Sequence, residues 1–413
     1  MKVLIISHGH PSSSRGGAEI VAYNLFKQFI EHNKIECHFV TVNPFQDLPL
    51  SDSETSSHVF NEHHIKSRSH PFSCTNTNPD TFSKKIEHLL RKIQPDIIHL
   101  HHLLHLGIDS VDIIRHISPS AKVCLTLHDY RSLCLNDGLM ITSKQRLTCS
   151  TSSPDNCKRC FPIYQKTAIQ TRHDAYQEAV ANCDAIISPS QFLINQLKNN
   201  GFCKQYIHLI NNGTPYKPLQ GNHPIKPNRF GFFGTTCEAK GLLNLLIATL
   251  KLKKNTNKTF NISIFGGGLE RQPAAFQHRV AHLRKHLGSA IVKWHGPYNP
   301  NDLPELMRAI DWVVVPSIWW ENAPLVIQEA FALSIPVIGS NHGGIAEQID
   351  GKGGLMVSAN DSKHLAQRME EAIDNRSLHR QLQAQIQPPT SIKACAEQHL
   401  ILYKELLDTN AGK

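Results

Sequence analysis

At 413 residues and 46.3 kDa the chain is too long for one ordinary hydrophobic core and predicts two or three domains. Apolar residues make up 40% and charged residues 19%, with 23 glycines and 23 prolines, which excludes collagen-like and disordered classes. The formal net charge of +9 is compatible with phosphorylated small molecules, nucleic acid or an anionic membrane face. No block of five or six basic residues occurs, so a nucleic-acid partner is not expected.

The opening segment bears on localisation. Its apolar run covers only Val3 to Ile6, which is too short for a secretory signal, and no run of 18 apolar residues occurs anywhere. We therefore expect a cytoplasmic protein, with peripheral contact at the inner face of the cytoplasmic membrane left open. In that compartment the 11 cysteines are expected to be thiols or metal ligands rather than a disulfide framework.

The first half alternates apolar runs of strand length with stretches of helical period. A helix is predicted at Ala18–Ile30, residues 43–80 show no period and predict a long surface excursion, and residues 81–93 predict an amphipathic helix with four basic residues. That helix either packs on the sheet with a solvated basic face, which we favour, or rests on anionic lipid. The predicted strands are Val3–Ser7, Cys37–Val42, Ile97–His101, Lys122–Leu127, Asp184–Ser188 and Ile207–Ile210.

The second half repeats this alternation after a proline-rich stretch at 213–228, which we take as a linker. Predicted domains are 1–212, with an insert at 134–160, and 229–390, followed by a helix in 391–413 that could pack back on the first domain. Strands alternating with helices indicate parallel sheets, so the predicted fold class is α/β, with two doubly wound Rossmann-like domains facing a cleft. The predicted strands here are Arg229–Phe233, Ile262–Phe265, Ile291–Trp294, Trp312–Val315 and Pro336–Gly339, and the helices are Lys240–Leu252, Pro304–Ile310, Leu325–Leu333, Ser362–Asp374 and Cys395–Leu407.

The segment from Val313 to Gln348 is the most informative in the chain. A buried strand ends at Pro316, a short loop follows, and Pro324 suits the first turn of the next helix. Ligands of open α/β sheets collect beyond such strand ends, and free N–H groups at a helix start favour phosphate. Glu321 in the loop and Glu329 in the helix are eight residues apart, so they could contact two parts of an extended ligand.

This segment resembles the E-x7-E region of glycosyltransferase family 4, retaining enzymes with the two-domain GT-B fold. The similarity extends over nearly the whole chain, and motifs that are weak singly become specific in this order and spacing. The other matching motifs are Gly16-Gly17-x-Glu19, Pro95-Asp96-Ile97-Ile98-His99, Thr126-Leu127-His128-Asp129, Asn212-Gly213, Gly234 through Lys240-Gly241, Gly266-Gly267-Gly268 and Gly343-Gly344.

The resemblance implies roles for residues of the second half. Lys240 matches the lysine that holds the donor diphosphate, where a cation stabilises the charge developing on the leaving group. Glu321 matches a residue near the transferred sugar, and Glu329 matches the residue that bonds the donor ribose. The remaining donor-binding positions implied by the resemblance are Gly234, Thr235, Gly266, Gly267, Gly268, Asn322, Ala323, Pro324 and Leu325.

One position departs from the family pattern. The family arginine after Gly234 is Thr235 here, so one expected diphosphate contact loses its charge. This departure keeps open a non-catalytic sugar-nucleotide-binding or scaffold protein as the alternative.

In the first half, Gly16 and Gly17 would let the backbone approach a phosphate closely. His128 matches a family position beside donor sugar and acceptor, where it would orient the acceptor hydroxyl or support charge. A hydrogen-bonded histidine at a strand end without a catalytic role is about equally compatible with the sequence.

Four cysteines follow the Thr126–Asp129 strand end with the spacing C-x14-C-x7-C-x2-C. Such a set can enclose a structural zinc, and Lys158-Arg159 between the last two would favour thiolates. Zinc and reduced thiols are equally compatible with this pattern. The four residues are Cys134, Cys149, Cys157 and Cys160.

The expected function is therefore retaining transfer of a sugar, without a required cofactor, from a UDP- or GDP-linked donor to a glycan or lipid-linked acceptor of cell-surface polysaccharide or lipopolysaccharide. A sugar-nucleotide epimerase or NAD-dependent oxidoreductase is disfavoured because the glycine runs lack the G-x-G-x-x-G order. A glycosidase using Glu321 and Glu329 is disfavoured by the adjoining phosphate-type loops.

Overall fold

The computed structural model describes residues 1–13, 16–32, 34–44, 61–144, 146–202, 205–217 and 228–409. The chain divides into two compact units: residues 1–213 with 390–413, and residues 214–389. Most of the predicted linker at 213–228 lies outside the described residues. Among the residues described, no helix combines the length and the apolar character needed to cross a membrane.

The first unit is built on a seven-stranded parallel sheet with strand order β3-β2-β1-β4-β5-β6-β7. Val3–Ile6 of the first strand are fully buried because helices cover both faces of the sheet. Its strands are β1 (Lys2–Ser7), β2 (Glu36–Asn43), β3 (Glu62–Lys66), β4 (Ile97–His101), β5 (Lys122–Thr126), β6 (Ala185–Ser188) and β7 (Ile207–Leu209). Its helices are α1 (Gly17–Ile30), α2 (Pro79–Ile93), α3 (Ser110–Ile117), α4 (Pro154–Cys160), α5 (Lys166–Ala181), α6 (Gln191–Asn199) and α14 (Ile392–Asp408).

Strand β3 lies within residues 43–80, where the sequence shows no period and predicts only a long surface excursion; the strand corrects that prediction. It pairs in parallel with β2 at the edge of the sheet, while residues 45–60 lie outside the described residues. Only Ile65 of its five residues is buried, so the segment carries neither the alternation nor the apolar run that reveals a strand.

Helix α2 contains the basic amphipathic segment for which the sequence is compatible with two alternatives, packing on the sheet or contact with anionic lipid. Asn78 caps it by accepting from the Thr81 amide, and Pro79 occupies its first turn. Its apolar stripe is buried within the first unit, as the packed alternative predicts. The buried residues are Phe82, Ile86, Leu89, Leu90 and Ile93.

The second unit contains a six-stranded parallel sheet with order β10-β9-β8-β11-β12-β13. The second sheet therefore has the strand order 3-2-1-4-5-6 of doubly wound dinucleotide-binding folds, and the first sheet has the same order with a seventh strand added. These orders confirm the predicted α/β class. Its strands are β8 (Arg229–Phe233), β9 (Asn261–Phe265), β10 (Val292–Gly296), β11 (Trp312–Val315), β12 (Val337–Ser340) and β13 (Gly354–Val357). Its helices are α7 (Leu242–Asn255), α8 (Ala274–Leu287), α9 (Leu303–Arg308), α10 (Leu325–Ala332), α11 (Gly343–Ile349), α12 (Ser362–Ala372) and α13 (Arg376–Gln385).

Helix α14 belongs to the first unit although it follows the second in sequence. Tyr403, on this helix, is fully buried and shares a core cluster with Phe29 of α1. Its hydroxyl lies 2.6 Å from His99 Nδ1, and the other ring nitrogen of His99 lies 2.7 Å from Thr126 Oγ1. These two hydrogen bonds give both ring nitrogens of His99 a buried partner. Without them, the burial of the imidazole would destabilise the core.

Replacing Tyr403 with Phe should destabilise the first unit, because the nitrogen of His99 loses its buried partner. We expect a cost of about 1–3 kcal/mol in the free energy of unfolding, measured by urea denaturation. Tyr206→Phe is the matched control, since the Tyr206 side chain is 75% exposed. Equal effects of the two substitutions would contradict a stabilising role for this chain of hydrogen bonds.

Candidate active site

The strand order of the second sheet reverses between β8 and β11, and the loops that follow these two strands lie side by side. The Ile318 amide donates to the Ala239 carbonyl over 2.9 Å. Gly241, at φ +74°, allows the same approach, since a Cβ there would overlap the Pro316 carbonyl. This switch point is where doubly wound sheets bind ligands.

Glu321 is the centre of the polar contacts at this point. Its Oε1 atom lies 2.6 Å from Lys240 Nζ and accepts hydrogen bonds from Ser317 Oγ at 2.8 Å and Trp319 Nε1 at 2.9 Å. Glu321 is 4% exposed, so the ion pair and both neutral donors compensate for the burial of its charge. Lys240 Nζ also lies 5.4 Å from the centroid of the Trp319 ring, within cation–π range.

The glycine-rich positions predicted to meet the donor gather at the ends of β8 and β9. The Gly234 amide donates to the Phe265 carbonyl, and the amide and hydroxyl of Thr236 both donate to the Gly267 carbonyl at 2.9 Å. Gly266 approaches Gly234 so closely that a Cβ would overlap its carbonyl. Thr235 and Gly268 also meet here, with the Thr235 methyl 3.1 Å from a Cβ built at Gly268.

Residues 322–325 lead into α10. Pro324 occupies the N-cap position of the helix without a side-chain capping bond, Leu325 is the first helical residue, and Asn322 is buried in the loop. The Gly344 amide of α11 donates to the Glu321 carbonyl over 2.7 Å, and a Cβ at Gly344 would overlap the Asn322 carbonyl. The glycine pair 343–344 therefore fixes the course of the loop that carries Glu321, Asn322 and Ala323.

Glu329 lies on α10, and it makes no ion pair or side-chain hydrogen bond with any residue in the described ranges. Burial raises its pKa to about 7. The same carboxylate contributes, after burial, to a raised pKa for Tyr216. A carboxyl group kept without a partner in this environment has unused capacity to accept hydrogen bonds from a ligand.

In the first unit, Gly16 and Gly17 begin α1 and lie close to a buried carboxylate. A Cβ on Gly16 would overlap the carboxyl group of Glu19, which is 3% exposed. Glu19 Oε1 lies 3.4 Å from His8 Nε2. Burial nevertheless lowers the pKa of His8 to about 4, so this imidazole is neutral at pH 7.

His128 follows β5, and its Nε2 lies 3.1 Å from Nδ1 of His101 at the end of β4. Burial lowers the pKa of His128 to about 3, so His128 is a neutral hydrogen-bonding group. His102 Nε2 lies 3.0 Å from Asp129 Oδ2. Although burial opposes it, the contacts with His102 and then Arg131 hold the pKa of Asp129 well below its usual value.

The four cysteines of the predicted zinc site are free thiols, and the described residues contain no group of three or more His, Cys, Asp or Glu side chains arranged to hold a metal. Burial raises the pKa of the Cys134 thiol to about 11 and also raises the pKa of the Cys157 thiol. Lys158, expected to favour thiolates, donates instead to the carbonyls of Pro162 and Tyr164. The set Cys134, Cys149, Cys157 and Cys160 therefore does not assemble as the predicted zinc ligand set.

The sequence reasoning missed Ser317 and Trp319. Both lie between strand β11 and Glu321, so the sequence places them in the same loop as Glu321. It does not reveal that their side chains point to the Glu321 carboxylate. It also missed His342, whose Nε2 lies 3.0 Å from the Ser317 carbonyl. These three residues hold Glu321 in place without belonging to a motif.

Comparison with known proteins identifies the family. Residues 15–216 match the family model described as Glycosyltransferase Family 4, and residues 217–387 match that of Glycosyl transferases group 1. The chain belongs to glycosyltransferase family 4. This confirms the family predicted from the E-x7-E segment and the ordered motifs around it.

Curated relatives match part of the chain. An uncharacterized glycosyltransferase of Methanocaldococcus jannaschii is 28% identical over 219 residues, covering 52% of this chain and 57% of that protein. A D-inositol 3-phosphate glycosyltransferase of Corynebacterium kroppenstedtii is 31% identical over 159 residues, covering 37% of this chain and 34% of that protein. These alignments thus span about a third to somewhat over half the length of each relative.

Solved structures match the whole fold. Sucrose-phosphate synthase of Thermosynechococcus elongatus aligns with a TM-score of 0.72 at 19% identity, covering 99% of both chains. Anabaena HepE in complex with UDP aligns with a TM-score of 0.66 at 17% identity, covering 100% of both chains. These likenesses confirm the GT-B fold of this family 4 glycosyltransferase.

The raised pKa of Glu329 predicts a stability cost. As pH rises from 4.5 to about 7, the unfolded carboxyl ionises while the folded one stays protonated, so stability falls across this interval and stays low above it. Glu329→Gln should remove this loss and raise the unfolding free energy at pH 8 by at most about 3 kcal/mol, with little change at pH 4.5.

Thermal and urea unfolding at the two pH values measure this difference. Glu370→Gln on the exposed face of α12 is the control and should show no such pH dependence. A Glu329→Gln protein no more stable than the parent at pH 8 would contradict the raised pKa.

Proposed function

We propose that this family 4 glycosyltransferase is a retaining enzyme that moves a sugar from a UDP- or GDP-linked donor to a hydroxyl of a glycan or lipid-linked saccharide. The observation that carries the proposal is the Lys240–Glu321 ion pair at the β8/β11 switch point, with Glu329 on α10, the helix that follows the Glu321 loop. The Anabaena HepE structures with UDP and with UDP-glucose support a nucleotide-sugar donor.

Lys240 supplies the charge that the reaction needs at the donor diphosphate. The bond between the sugar C1 and the phosphate oxygen breaks, its electron pair leaves on the nucleoside diphosphate, and the ammonium group stabilises that charge. The acceptor oxygen bonds C1 on the face that the phosphate leaves. The acceptor proton passes to the departing phosphate, so the step requires no protein base.

The ion pair with Glu321 prepares Lys240 for this role. It fixes the position of the ammonium group before the donor binds, and Lys240 is still one-third exposed while Glu321 is buried. When a diphosphate engages Lys240, the hydrogen bonds from Ser317 and Trp319 continue to stabilise the Glu321 carboxylate. Glu321 then accepts hydrogen bonds from the hydroxyls of the transferred sugar.

Glu329 has a separate role on the nucleotide. Its carboxylate accepts hydrogen bonds from the ribose hydroxyls, which stabilises the ionised form. In the first unit, neutral His128 hydrogen-bonds to the acceptor hydroxyl and orients it. The glycine loops at 234 and 266–268 let the backbone approach the diphosphate.

A sugar-nucleotide-binding protein without transfer activity is the second candidate, and Thr235 is the feature that favours it. Thr235 provides no cation beside Lys240, so the leaving group has less charge compensation than in the family pattern. Release of nucleoside diphosphate from a panel of nucleotide sugars, with and without acceptor extracts, separates the candidates. Donor binding without turnover under all acceptors would favour the binding protein.

Lys240→Ala should lower turnover by about 100-fold or more, because the leaving diphosphate loses its cation. The measurement is the rate of nucleoside diphosphate release under saturating donor. Lys254→Ala on the exposed end of α7 is the control and should retain full activity. Near-parental turnover of Lys240→Ala in a folded protein would remove Lys240 from the mechanism.

Donor binding should weaken below pH 7, because ribose prefers the ionised form of Glu329 and protons compete for it. We expect the dissociation constant of UDP-glucose, whose diphosphate does not titrate in this range, to rise between pH 8 and pH 6. Glu329→Gln should bind more weakly at pH 8 and lose most of this pH dependence, while Glu370→Gln should keep it. Calorimetry measures the dissociation constant of UDP-glucose at pH 8 and its change between pH 8 and pH 6. An unchanged pH profile in Glu329→Gln would contradict the ribose contact.

A further inference from the structure

A cavity of about 260 Å³ lies in the first unit, and none of its lining residues is among those assigned to the donor. Its walls come from the segments that follow β3, β4 and β5, with one residue of α5. These segments extend from the carboxyl ends of parallel strands, the edge where such sheets bind ligands. The residues that carry the following argument are Arg68, Cys74, His105, Arg131, Asp137 and Tyr176.

Two cationic side chains, Arg68 and Arg131, line the cavity, and Arg131 is paired with two carboxylates. Arg68 is exposed at its mouth and forms no ion pair with any residue in the described ranges. Arg131 lies 3.3 Å from Asp137 and 3.4 Å from Asp129. The Asp137 side chain is 75% exposed, so solvent screens its pair with Arg131 and a ligand anion can replace it at little cost.

Arg131 Nε is buried and lies 3.4 Å from Asp129 Oδ2, an ion pair without hydrogen-bond geometry. A guanidinium group has five N–H donors, so Arg131 can bind a ligand anion through its other N–H groups.

The backbone around the cavity is held in a strained conformation. Cys74, His105 and Asp137 have φ angles of 61°, 67° and 49°, so three of the ten non-glycine residues with positive φ in the described ranges line this one cavity. Such strain persists only where surrounding contacts impose it, and it concentrates at ligand sites.

Arg172 supplies the contacts that impose this conformation. It is 4% exposed and donates to the carbonyls of Phe72 at 2.9 Å and Arg131 at 2.6 Å, and to Cys74 Sγ at 3.5 Å. One buried guanidinium thus joins the segments after β3 and β5. The cavity is therefore shaped before any ligand enters.

We propose that this cavity binds the acidic group of an anionic saccharide, either a carboxylate or a phosphate. Arg68 and Arg131 bind the anion, while Tyr176 and the adjoining Leu103 and Leu104 present the apolar surface that a sugar ring covers. The volume lies just below the roughly 300 Å³ at which pockets for larger ligands begin, so the cavity suits a single residue of a glycan.

This inference rests on the proposed transferase function for its role. Lys240, Glu321 and Glu329 all belong to the second unit, so a saccharide site on the first unit serves the other substrate. The acceptor is then a glycan or lipid-linked saccharide that carries a negative charge on or beside the residue that receives the sugar.

Calorimetric titration of the full chain with glucuronic acid, glucose 6-phosphate and glucose tests the site. We expect at least one of the two acids to bind ten-fold or more tightly than neutral glucose, and the preferred acid identifies the anion as carboxylate or phosphate. Equal binding of all three, or no binding of either acid, would overturn the proposal.

Two variants test the contacts in opposite directions. Arg68→Gln should weaken binding of the preferred acid about ten-fold, whereas Asp137→Asn should tighten it, because it removes the carboxylate that competes for Arg131. Asparagine tolerates the positive φ at this position. Arg91→Gln on exposed α2 is the control and should bind like the parent. A loss of affinity in Asp137→Asn, or unchanged affinity in Arg68→Gln, would contradict the assignment.

UDP-glucose titrated into the same proteins separates this site from the donor site. Its affinity should be unchanged in Arg68→Gln and Asp137→Asn. If the acids bind and UDP-glucose does not, the donor assignment fails while the cavity assignment stands. If UDP-glucose binds and the acids do not, the cavity assignment fails and the transferase proposal stands.

Discussion

The compensation of one buried carboxylate organises the switch point of the second unit. Glu321 accepts from Lys240, Ser317 and Trp319 through a single oxygen, and its backbone carbonyl accepts from Gly344. A charge that is 4% exposed would destabilise the loop without these donors. Because Lys240 follows β8 while Ser317 and Trp319 follow β11, satisfying this charge joins two segments. The Gly344 amide connects α11 to the same loop through the Glu321 backbone carbonyl. The ammonium group predicted to face the diphosphate is positioned by the same contacts.

The fold was largely predictable because parallel sheets leave a strong pattern. Buried strands such as Val3–Ile6 and Trp312–Val315 read as continuous apolar runs, and the stretches between them show the helical period. The E-x7-E spacing placed Glu321 in a loop and Glu329 on a helix, where the structure has them. Strand β3, at the edge of the sheet, buries one side chain and leaves no such pattern.

Side-chain direction accounts for most of what the sequence could not reveal. The spacing of the four cysteines is compatible with a zinc site, but the described residues contain no group of three or more side chains arranged to hold a metal. Ser317 and Trp319 lie beside Glu321 in sequence, yet nothing in their identity predicts that both donate to the same oxygen. The cavity around Arg131 depends on Arg172, which is 41 residues away in sequence and reaches it only in the folded chain.

The place of α14 has a consequence for how the protein is made. Tyr403 and Leu402 share a core with Phe29 and Ile97, although more than 300 residues of chain separate the two pairs. A ribosome producing this chain releases the entire second unit before the first can close its interior. The unit whose synthesis begins first therefore completes its core last, and part of its apolar surface stays uncovered until α14 is made.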